Sequence, residues 1–121
     1  MAKKSAGRRV WFFPDGDIPP PGRGRLKGHE SLIVLNPNDR DAAVTVTVYF
    51  TDGEPVRAPA QAVKARRVRC FRTDEGIGGC RIPCGQYALK VESTVPVICQ
   101  IGRMDVRQPN LVYYTVMGFP G

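Results

Sequence analysis

Apolar and polar residues alternate with a period of two along much of the chain. In residues 44–50, valines and a phenylalanine alternate with threonines and a tyrosine, and residues 87–92 show the same period. Successive side chains of a β-strand point to opposite faces of a sheet. Both segments are therefore predicted to be strands with one buried face.

Further strands are predicted where short apolar or β-branched runs lie between turn-forming residues. These runs are residues 10–13, 32–35, 97–101 and 111–117. The turn-forming segments that separate the strands are residues 36–39, 51–55, 76–79 and 94–96.

Residues 60–72 are the one candidate for a helix. Their apolar residues do not recur every three or four positions, whereas Val68 and Cys70 alternate with Arg67 and Arg69. This alternation predicts a strand in the second half of the segment. The total is seven to eight strands with no long helix.

A chain of 121 residues suits one domain with one core. Seven to eight strands must pack sheet on sheet or close on themselves to bury their apolar faces. We therefore predict a single-domain, antiparallel, jelly-roll-like β-sandwich over residues 10–121, preceded by a flexible basic arm at residues 1–9. Residues 15–28, rich in proline and glycine, are predicted to be a long connection of the kind that often carries function.

Composition indicates a soluble cytoplasmic protein. The chain has 42% hydrophobic and 24% charged residues, and no apolar stretch approaches the roughly 20 residues of a membrane span. The apolar run at residues 10–13 is too short for an export signal. In the cytoplasm the four cysteines are expected to be reduced thiols.

The net charge is +7, from 18 lysines and arginines against 11 acidic residues. Basic residues concentrate in the first nine positions and in residues 64–72, where Lys64, Arg66, Arg67 and Arg69 are candidates for contacts with nucleic-acid phosphates. The same clusters also fit a solubilising tail and a solvated strand face.

Catalytic and metal-binding patterns are weak. His29, the sole histidine, is followed by Glu30, and neighbours on a strand point to opposite faces. An enzyme that acts on a small sugar or acid is an alternative, and in such an enzyme His29 or Glu30 would have to supply the base. Cys80 and Cys84 form one pair with zinc-like spacing, but Cys70 and Cys99 are isolated. We predict a protein that is not an enzyme, with no cofactor and no metal.

Arg103, Asp105 and Arg107 alternate, so in an extended segment they project from one face. Two guanidinium groups around one carboxylate can bind an anion or sugar hydroxyls, or can form a structural ion pair. Trp11, the sole tryptophan, can be a stacking platform for a ligand or part of the core.

Taken in order, several segments resemble one known family. They are Trp11 with Gly16-Asp17-Ile18-Pro19-Pro20, His29-Glu30 before Leu35-Asn36, Tyr49 with Asp52 and Glu54-Pro55, Ala65-Arg66-Arg67, Val95-Pro96, and Gln100, Arg103, Asp105, Arg107 and Gln108. The chain resembles the Anabaena sensory rhodopsin transducer family over about residues 10–116. The resemblance implies a cytoplasmic homotetramer of β-sandwiches without known cofactor or catalysis, similar to carbohydrate-binding modules. Its implied partner is the cytoplasmic face of a microbial sensory rhodopsin, and DNA binding is a further implication.

Our main functional hypothesis is a non-enzymatic signalling adaptor that binds a sensory rhodopsin-like receptor or a small polar ligand such as a sugar or carboxylate. The alternatives are a nucleic-acid-binding protein and a sugar-binding or sugar-acting protein. The candidate ligand- or partner-binding residues are Trp11, His29, Glu30, Arg103, Asp105, Arg107 and Gln108.

Overall fold

The computed structural model describes residues 6–121, and the start of the predicted basic arm, residues 1–5, lies outside them. The described part of the chain contains nine strands and no helix, which confirms the predicted all-β class. The strands are β1 (Arg8–Ile18), β2 (His29–Asn36), β3 (Ala42–Phe50), β4 (Val56–Arg57), β5 (Gln61–Val63), β6 (Arg67–Arg72), β7 (Gly85–Asp105), β8 (Val112–Met117) and β9 (Phe119–Pro120). Nothing in this range is a helix that could span a bilayer.

Two antiparallel sheets share the long strand β7. In the first sheet β4 and β5 pair with β3, and the order continues β3-β7-β1-β9. In the second sheet the order is β6-β2-β7-β8. Residues up to Val97 of β7 pair in the first sheet, and residues from Ile98 onward pair in the second.

The sequence pattern predicted two strands where the structure has the single 21-residue strand β7. Residues 94–96, predicted to be a turn, lie within it. Pro96 falls between the last pairing with β3, at Ser93, and the first with β2, at Ile98. Because β7 changes partners there, the missing N–H of proline removes no bond from the ladder.

The core confirms the period-two pattern of β3 and β7. Val44, Val46 and Val48 are fully buried, and so are Leu89 and Val91 opposite them. Each such side chain contributes roughly 1.5–3 kcal/mol when it leaves water completely. These residues fix which face of the first sheet is internal.

Strand β6 exists as predicted, but its alternating apolar residues face solvent. Val68 is 63% exposed and Cys70 is exposed, whereas Phe71 is buried. The guanidinium of Arg69 lies 4.5 Å from the Phe71 ring and donates to the carbonyl of Ala62 at the sheet edge. An arginine with a long apolar stem can thus occupy the inner side of an edge strand while its charge remains in water.

The predicted boundaries at the start of the chain shift by a few residues. Strand β1 begins at Arg8, within the segment predicted to be the basic arm, and continues to Ile18. The predicted connection at residues 15–28 is therefore shorter, and its end is held by a hydrogen bond from the Gly28 amide to the Pro21 carbonyl, 2.9 Å. This loop leads into β2, which carries the first residues of the candidate site.

Candidate functional site

A buried ion pair crosses the inner face of the second sheet. The register aligns Glu30 of β2 with Arg103 of β7, and Arg103 in turn with Tyr114 of β8. Glu30 is 0% exposed and Arg103 is 6% exposed, and Nε of Arg103 lies 2.6 Å from Oε2 of Glu30. A buried charge pair is tolerated only when its remaining donors and acceptors are also satisfied.

Glu30 meets that condition. Its carboxylate accepts hydrogen bonds from the Tyr87 hydroxyl and from the backbone amide of Asp17, 3.2 Å from each oxygen. Burial, followed by the charge of Glu30, raises the pKa of Tyr87 well above its usual value, so this hydroxyl stays protonated and donates. Gly16 makes the arrangement possible, because a Cβ at this position would lie 2.6 Å from the Tyr87 ring.

Arg103 uses its other donors internally. Nη1 donates to the Tyr114 hydroxyl at 2.6 Å, and Nη2 donates to the carbonyl of Asp15 at 2.8 Å. Burial alone would lower the pKa of Arg103, but the hydrogen bonds to Glu30 and Tyr114 raise it further above its ordinary range. Arg103 therefore stays charged and has its side chain committed to protein partners.

Asp105 and Arg107 form a second ion pair, at the surface. Nε of Arg107 lies 3.0 Å from both carboxylate oxygens of Asp105, and the Arg107 amide donates to Oδ1 at 2.9 Å. These bonds from Arg107 hold the pKa of Asp105 at about 2. The Asp105 carboxylate is therefore ionised throughout the neutral range.

A pocket of about 320 Å³ lies beside this second pair, where β7 ends and β8 runs past it. Its lining residues are Asp105, Arg107, Gln108, Val112 and Tyr114. Tyr114 connects the two ion pairs, because its hydroxyl accepts from Arg103 while the residue also lines the pocket. Since the Tyr114 oxygen accepts that bond, its own proton is free for a second acceptor.

The structure brings only some of the seven candidate residues together. Asp105, Arg107 and Gln108 line the pocket, whereas Glu30 and Arg103 do not, and each nitrogen of the Arg103 guanidinium already bonds to a protein oxygen. The expectation that Arg103 and Arg107 flank one carboxylate is wrong, because Arg103 turns to Glu30 and only Arg107 bonds to Asp105.

His29 and Trp11 lie outside the cluster. His29 pairs with Met104 on the opposite face from Glu30, with Nδ1 2.8 Å from the Lys27 carbonyl. Trp11 belongs to the first sheet, packs against the core and donates from Nε1 to the Val97 carbonyl at 2.8 Å. Of the two roles considered for Trp11, packing against the core matches its position better than stacking on a ligand.

Sequence reasoning missed Tyr114 and Val112. Both lie on β8, which was predicted as a strand, but nothing local in residues 111–117 points to Arg103 or Asp105. The pairings of Tyr114 with Arg103 and of Val112 with Asp105 follow from the register between β7 and β8.

The basic residues form a separate surface, in which Lys64 and Arg66 lie in the turn between β5 and β6 and the other two lie on β6. Lys64 and Arg66 each have side chains 73% exposed, with Asp41 at 3.4 Å from Lys64 and Asp39 at 3.9 Å from Arg66. Arg67 and Arg69 are also exposed. Two of the four cations are thus partly balanced by neighbouring carboxylates.

The cysteines are separate thiols. Cys70 and Cys84 are exposed, Cys80 is half-buried and Cys99 is buried, and none forms a disulfide. Within residues 6–121 no three metal-ligating side chains of the His, Cys, Asp and Glu types come together. Burial raises the pKa of Cys99 to about 12, so this thiol stays protonated.

Fold and site together define a small antiparallel β-sandwich with a polar pocket at the end of one sheet. The chain belongs to the Anabaena sensory rhodopsin transducer family, whose model matches residues 6–120, and this confirms the resemblance found in the sequence.

Two solved structures are similar over most of the chain. The crystal structure of Thermotoga maritima 1070 has 35% identity and a TM-score of 0.84, with 97% of each chain covered. The Anabaena sensory rhodopsin transducer has 37% identity and a TM-score of 0.72, covering 88% of this chain and 96% of that one. No protein of curated function matches this chain.

Proposed function

We propose that the protein is a cytoplasmic, non-enzymatic signalling adaptor that assembles as a homotetramer and recognises a small polar ligand or a sensory rhodopsin-like receptor through its pocket. The observation that carries the proposal is the open pocket formed by Asp105, Arg107, Gln108 and Tyr114, supported from behind by a fully satisfied buried ion pair. Membership of a family of transducers supports the signalling role.

The charges of the pocket favour a neutral ligand. Because Asp105 already pairs with Arg107, the two formal charges cancel and no uncompensated guanidinium faces the cavity. The pocket instead offers a carboxylate as acceptor and the Gln108 amide and Tyr114 hydroxyl as mixed donors and acceptors. Such a set matches a polyhydroxyl compound such as a sugar better than a free carboxylate.

The same residues support binding rather than catalysis. A general base works best when its pKa lies near the working pH, and that of Asp105 is held at about 2. Glu30 is enclosed by three donors, and His29 lies on the other face of β2. No other histidine exists in the chain.

A thermal-shift screen tests the ligand class. Neutral sugars, sugar acids and dicarboxylates are each added to the protein. A true ligand binds the native state, so at a hundred times its Kd it raises the free energy of unfolding by about 2.7 kcal/mol and with it the melting temperature. We expect neutral sugars to act, and Asp105→Asn to abolish the shift. Asp52→Asn, at an exposed turn, is the matched control and should leave the shift intact.

A screen without any hit, or a hit that survives Asp105→Asn, removes the small-ligand role of this pocket. The receptor role is tested separately with a sensory rhodopsin in lipid nanodiscs. Binding that is lost in Asp105→Asn and retained in Asp52→Asn supports the pocket as the contact. Binding unaffected by both places the contact elsewhere.

Nucleic-acid binding is a second candidate function, favoured by the exposure of Lys64, Arg66, Arg67 and Arg69 on one edge. Fluorescence anisotropy with a DNA duplex at several salt concentrations tests it. Four phosphate contacts predict a slope of about −4 in log K against log salt. Arg66→Gln with Arg67→Gln should weaken binding, whereas Arg57→Gln, an exposed arginine paired with Glu92, should not. No binding at micromolar protein excludes the candidate.

A further inference from the structure

Two loops leave the second sheet at the same end. Residues 19–28 connect β1 to β2, and residues 106–111 connect β7 to β8. His29, the first residue of β2, pairs with Met104, next to the last residue of β7. The loop before β2 and the loop after β7 therefore start from neighbouring points, and the two loops together are called the loop end below.

The two loops of the loop end are in contact with each other. Gly22 faces Val106, and a Cβ at Gly22 would lie 2.7 Å from a methyl carbon of Val106. Gly22 also has a φ of 76°, a conformation that glycine adopts without strain. Lys27 donates from Nζ to the Gly22 carbonyl at 2.9 Å, so the first loop folds back on itself beside the second. The loop end is thus one surface built from two segments.

The charge of the loop end is entirely positive. The first loop carries Arg23, Arg25 and Lys27, the second carries Arg107, and neither contains an aspartate or glutamate. Arg107 pairs with Asp105, at the end of β7. The other three are exposed, and none of them forms an ion pair with any carboxylate of residues 6–121. Three cations of the loop end are therefore available to an anionic partner.

The loop end also exposes two leucines. Leu26 is 54% exposed and Leu111 is 49% exposed. Both line a groove of about 470 Å³ between the two loops, and Arg25 lines the same groove. A single exposed leucine is ordinary on a protein surface. Two leucines from different loops beside an unpaired guanidinium instead form an amphipathic surface.

We infer that the loop end docks on the surface of an anionic lipid bilayer. Leu26 and Leu111 enter the headgroup layer, and the three unpaired cations contact lipid phosphates. Basic segments are attracted to the negative surface potential of such a bilayer, and buried apolar area adds to the binding. Duplex DNA offers phosphates but no apolar layer for the two leucines, so the combination favours a bilayer.

Docking at the loop end would hold the polar pocket beside the membrane. The groove and the pocket have Gln108 in common, so they are adjacent. A receptor embedded in the same bilayer would then meet the pocket at short range. The inference goes beyond the proposed function, because the contact with lipid requires neither a ligand in the pocket nor a receptor.

Vesicle flotation with the full chain tests the charge requirement. The vesicles contain either equal parts of phosphatidylglycerol and phosphatidylcholine or phosphatidylcholine alone. We expect binding to the anionic vesicles only, and weaker binding as salt is raised. Each arginine close to an anionic membrane strengthens binding roughly fivefold, so Arg23→Gln with Arg25→Gln should weaken it by roughly 25-fold. Arg40→Gln with Arg57→Gln, at exposed positions outside the loop end, removes the same charge and should weaken it far less.

A second pair of variants tests the apolar contribution. Leu26→Ser with Leu111→Ser keeps the charge of the loop end and removes its two exposed leucines, so it should weaken binding to the anionic vesicles. Val68→Ser, at a position of β6 that is 63% exposed, is the control and should bind as the wild type does. Circular dichroism confirms that each variant is folded.

Four results would overturn the inference: no binding to anionic vesicles at low salt, equal binding to both kinds of vesicle, binding unchanged in the double arginine variant, and binding unchanged in the double leucine variant. A DNA duplex bound by the wild type and lost in the double arginine variant, without vesicle binding, would make the loop end a nucleic-acid contact instead.

If the loop variants do not fold, hydrogen–deuterium exchange of the wild type decides. Amides of residues 19–28 and 106–111 should gain protection when anionic vesicles are added, and unchanged exchange in both loops contradicts docking there. These assays contain no receptor and no sugar. Membrane docking and the function of the pocket can therefore fail separately.

Discussion

The buried pair of Glu30 and Arg103 leads to the sharpest prediction, for Glu30→Gln. The substitution keeps the shape of the side chain and removes its charge. Arg103 then remains 6% exposed with no counter-ion, and one amide N–H₂ of glutamine faces groups that are themselves donors, such as the Tyr87 hydroxyl or the Asp17 amide.

The expected cost follows from this loss. Breaking a buried ion pair by removing one partner destabilises a protein by about 3–5 kcal/mol, because a buried charge is left uncompensated. A separate count gives a similar result, since each hydrogen bond to a charged group contributes roughly 1.5–3 kcal/mol and at least one is replaced by a contact between donors. For a domain of this size the loss corresponds to roughly 10–20 °C in melting temperature.

Urea denaturation followed by circular dichroism, at one fixed protein concentration, measures this cost. The matched control is Glu92→Gln, which removes the partly exposed pairs of Glu92 with Arg57 at 3.2 Å and Lys90 at 3.8 Å and is expected to cost about 1 kcal/mol. If Glu30→Gln costs no more than Glu92→Gln, the buried pair does not stabilise the fold as argued, and the account of the site behind the pocket is wrong.

Three other predictions use separate parts of the structure. Leu89→Ala, at a position 1% exposed, is expected to lower the free energy of unfolding, measured by urea denaturation, by about 2–5 kcal/mol. Leu26→Ala, at a position 54% exposed, should lower it far less, and equal losses would contradict the assigned core. Under native conditions at pH 8, Cys70 and Cys84 should react with a thiol reagent and Cys99 should not, because burial raises the Cys99 pKa to about 12. Mass spectrometry of the labelled peptides measures the reaction at each cysteine, and fast labelling of Cys99 would contradict its burial. Arg107→Met should raise the pKa of Asp105 from about 2 towards the ordinary 3.9 or so, measured by NMR of the carboxyl carbon. Since that pKa is lowered in the fold, any stability from this pair is present above the ordinary carboxyl range and is lost as pH falls towards 2, and an Asp105 titration unchanged by Arg107→Met would refute the pairing.

The fold was largely predictable because side-chain burial along a strand alternates with the same period of two as the apolar residues in the sequence. Val44, Val46 and Val48 alternate in the sequence and are all buried in β3. The error at residues 94–96 has a clear physical source. Pro96 is typical of a turn, yet in this fold it marks the point where one strand passes from one sheet into the other.

The site was predictable only in part. Alternation placed Arg103 and Asp105 on one face, but their different burial depends on where each lies along β7: Arg103 is covered between β2 and β8, and Asp105 is the last residue of the strand. The contribution of Tyr114 depends on the register between β7 and β8, which places it beside Arg103, eleven residues earlier in the sequence. The alternation of apolar and polar residues within either strand does not fix that register.

The sharing of β7 between both sheets also bears on how the molecule forms. Strands β2 and β6, and β3 with β4 and β5, pair among themselves. Within residues 6–121, β7 is the only strand that pairs in both sheets, and it begins at Gly85. On the ribosome, most of the chain must emerge before that strand can bring them together. Contacts so distant in sequence are expected to make folding slow, on the order of milliseconds to seconds. Until β7 arrives, valine-rich strands such as β3 stay exposed, which is the interval in which chaperones would bind the nascent chain.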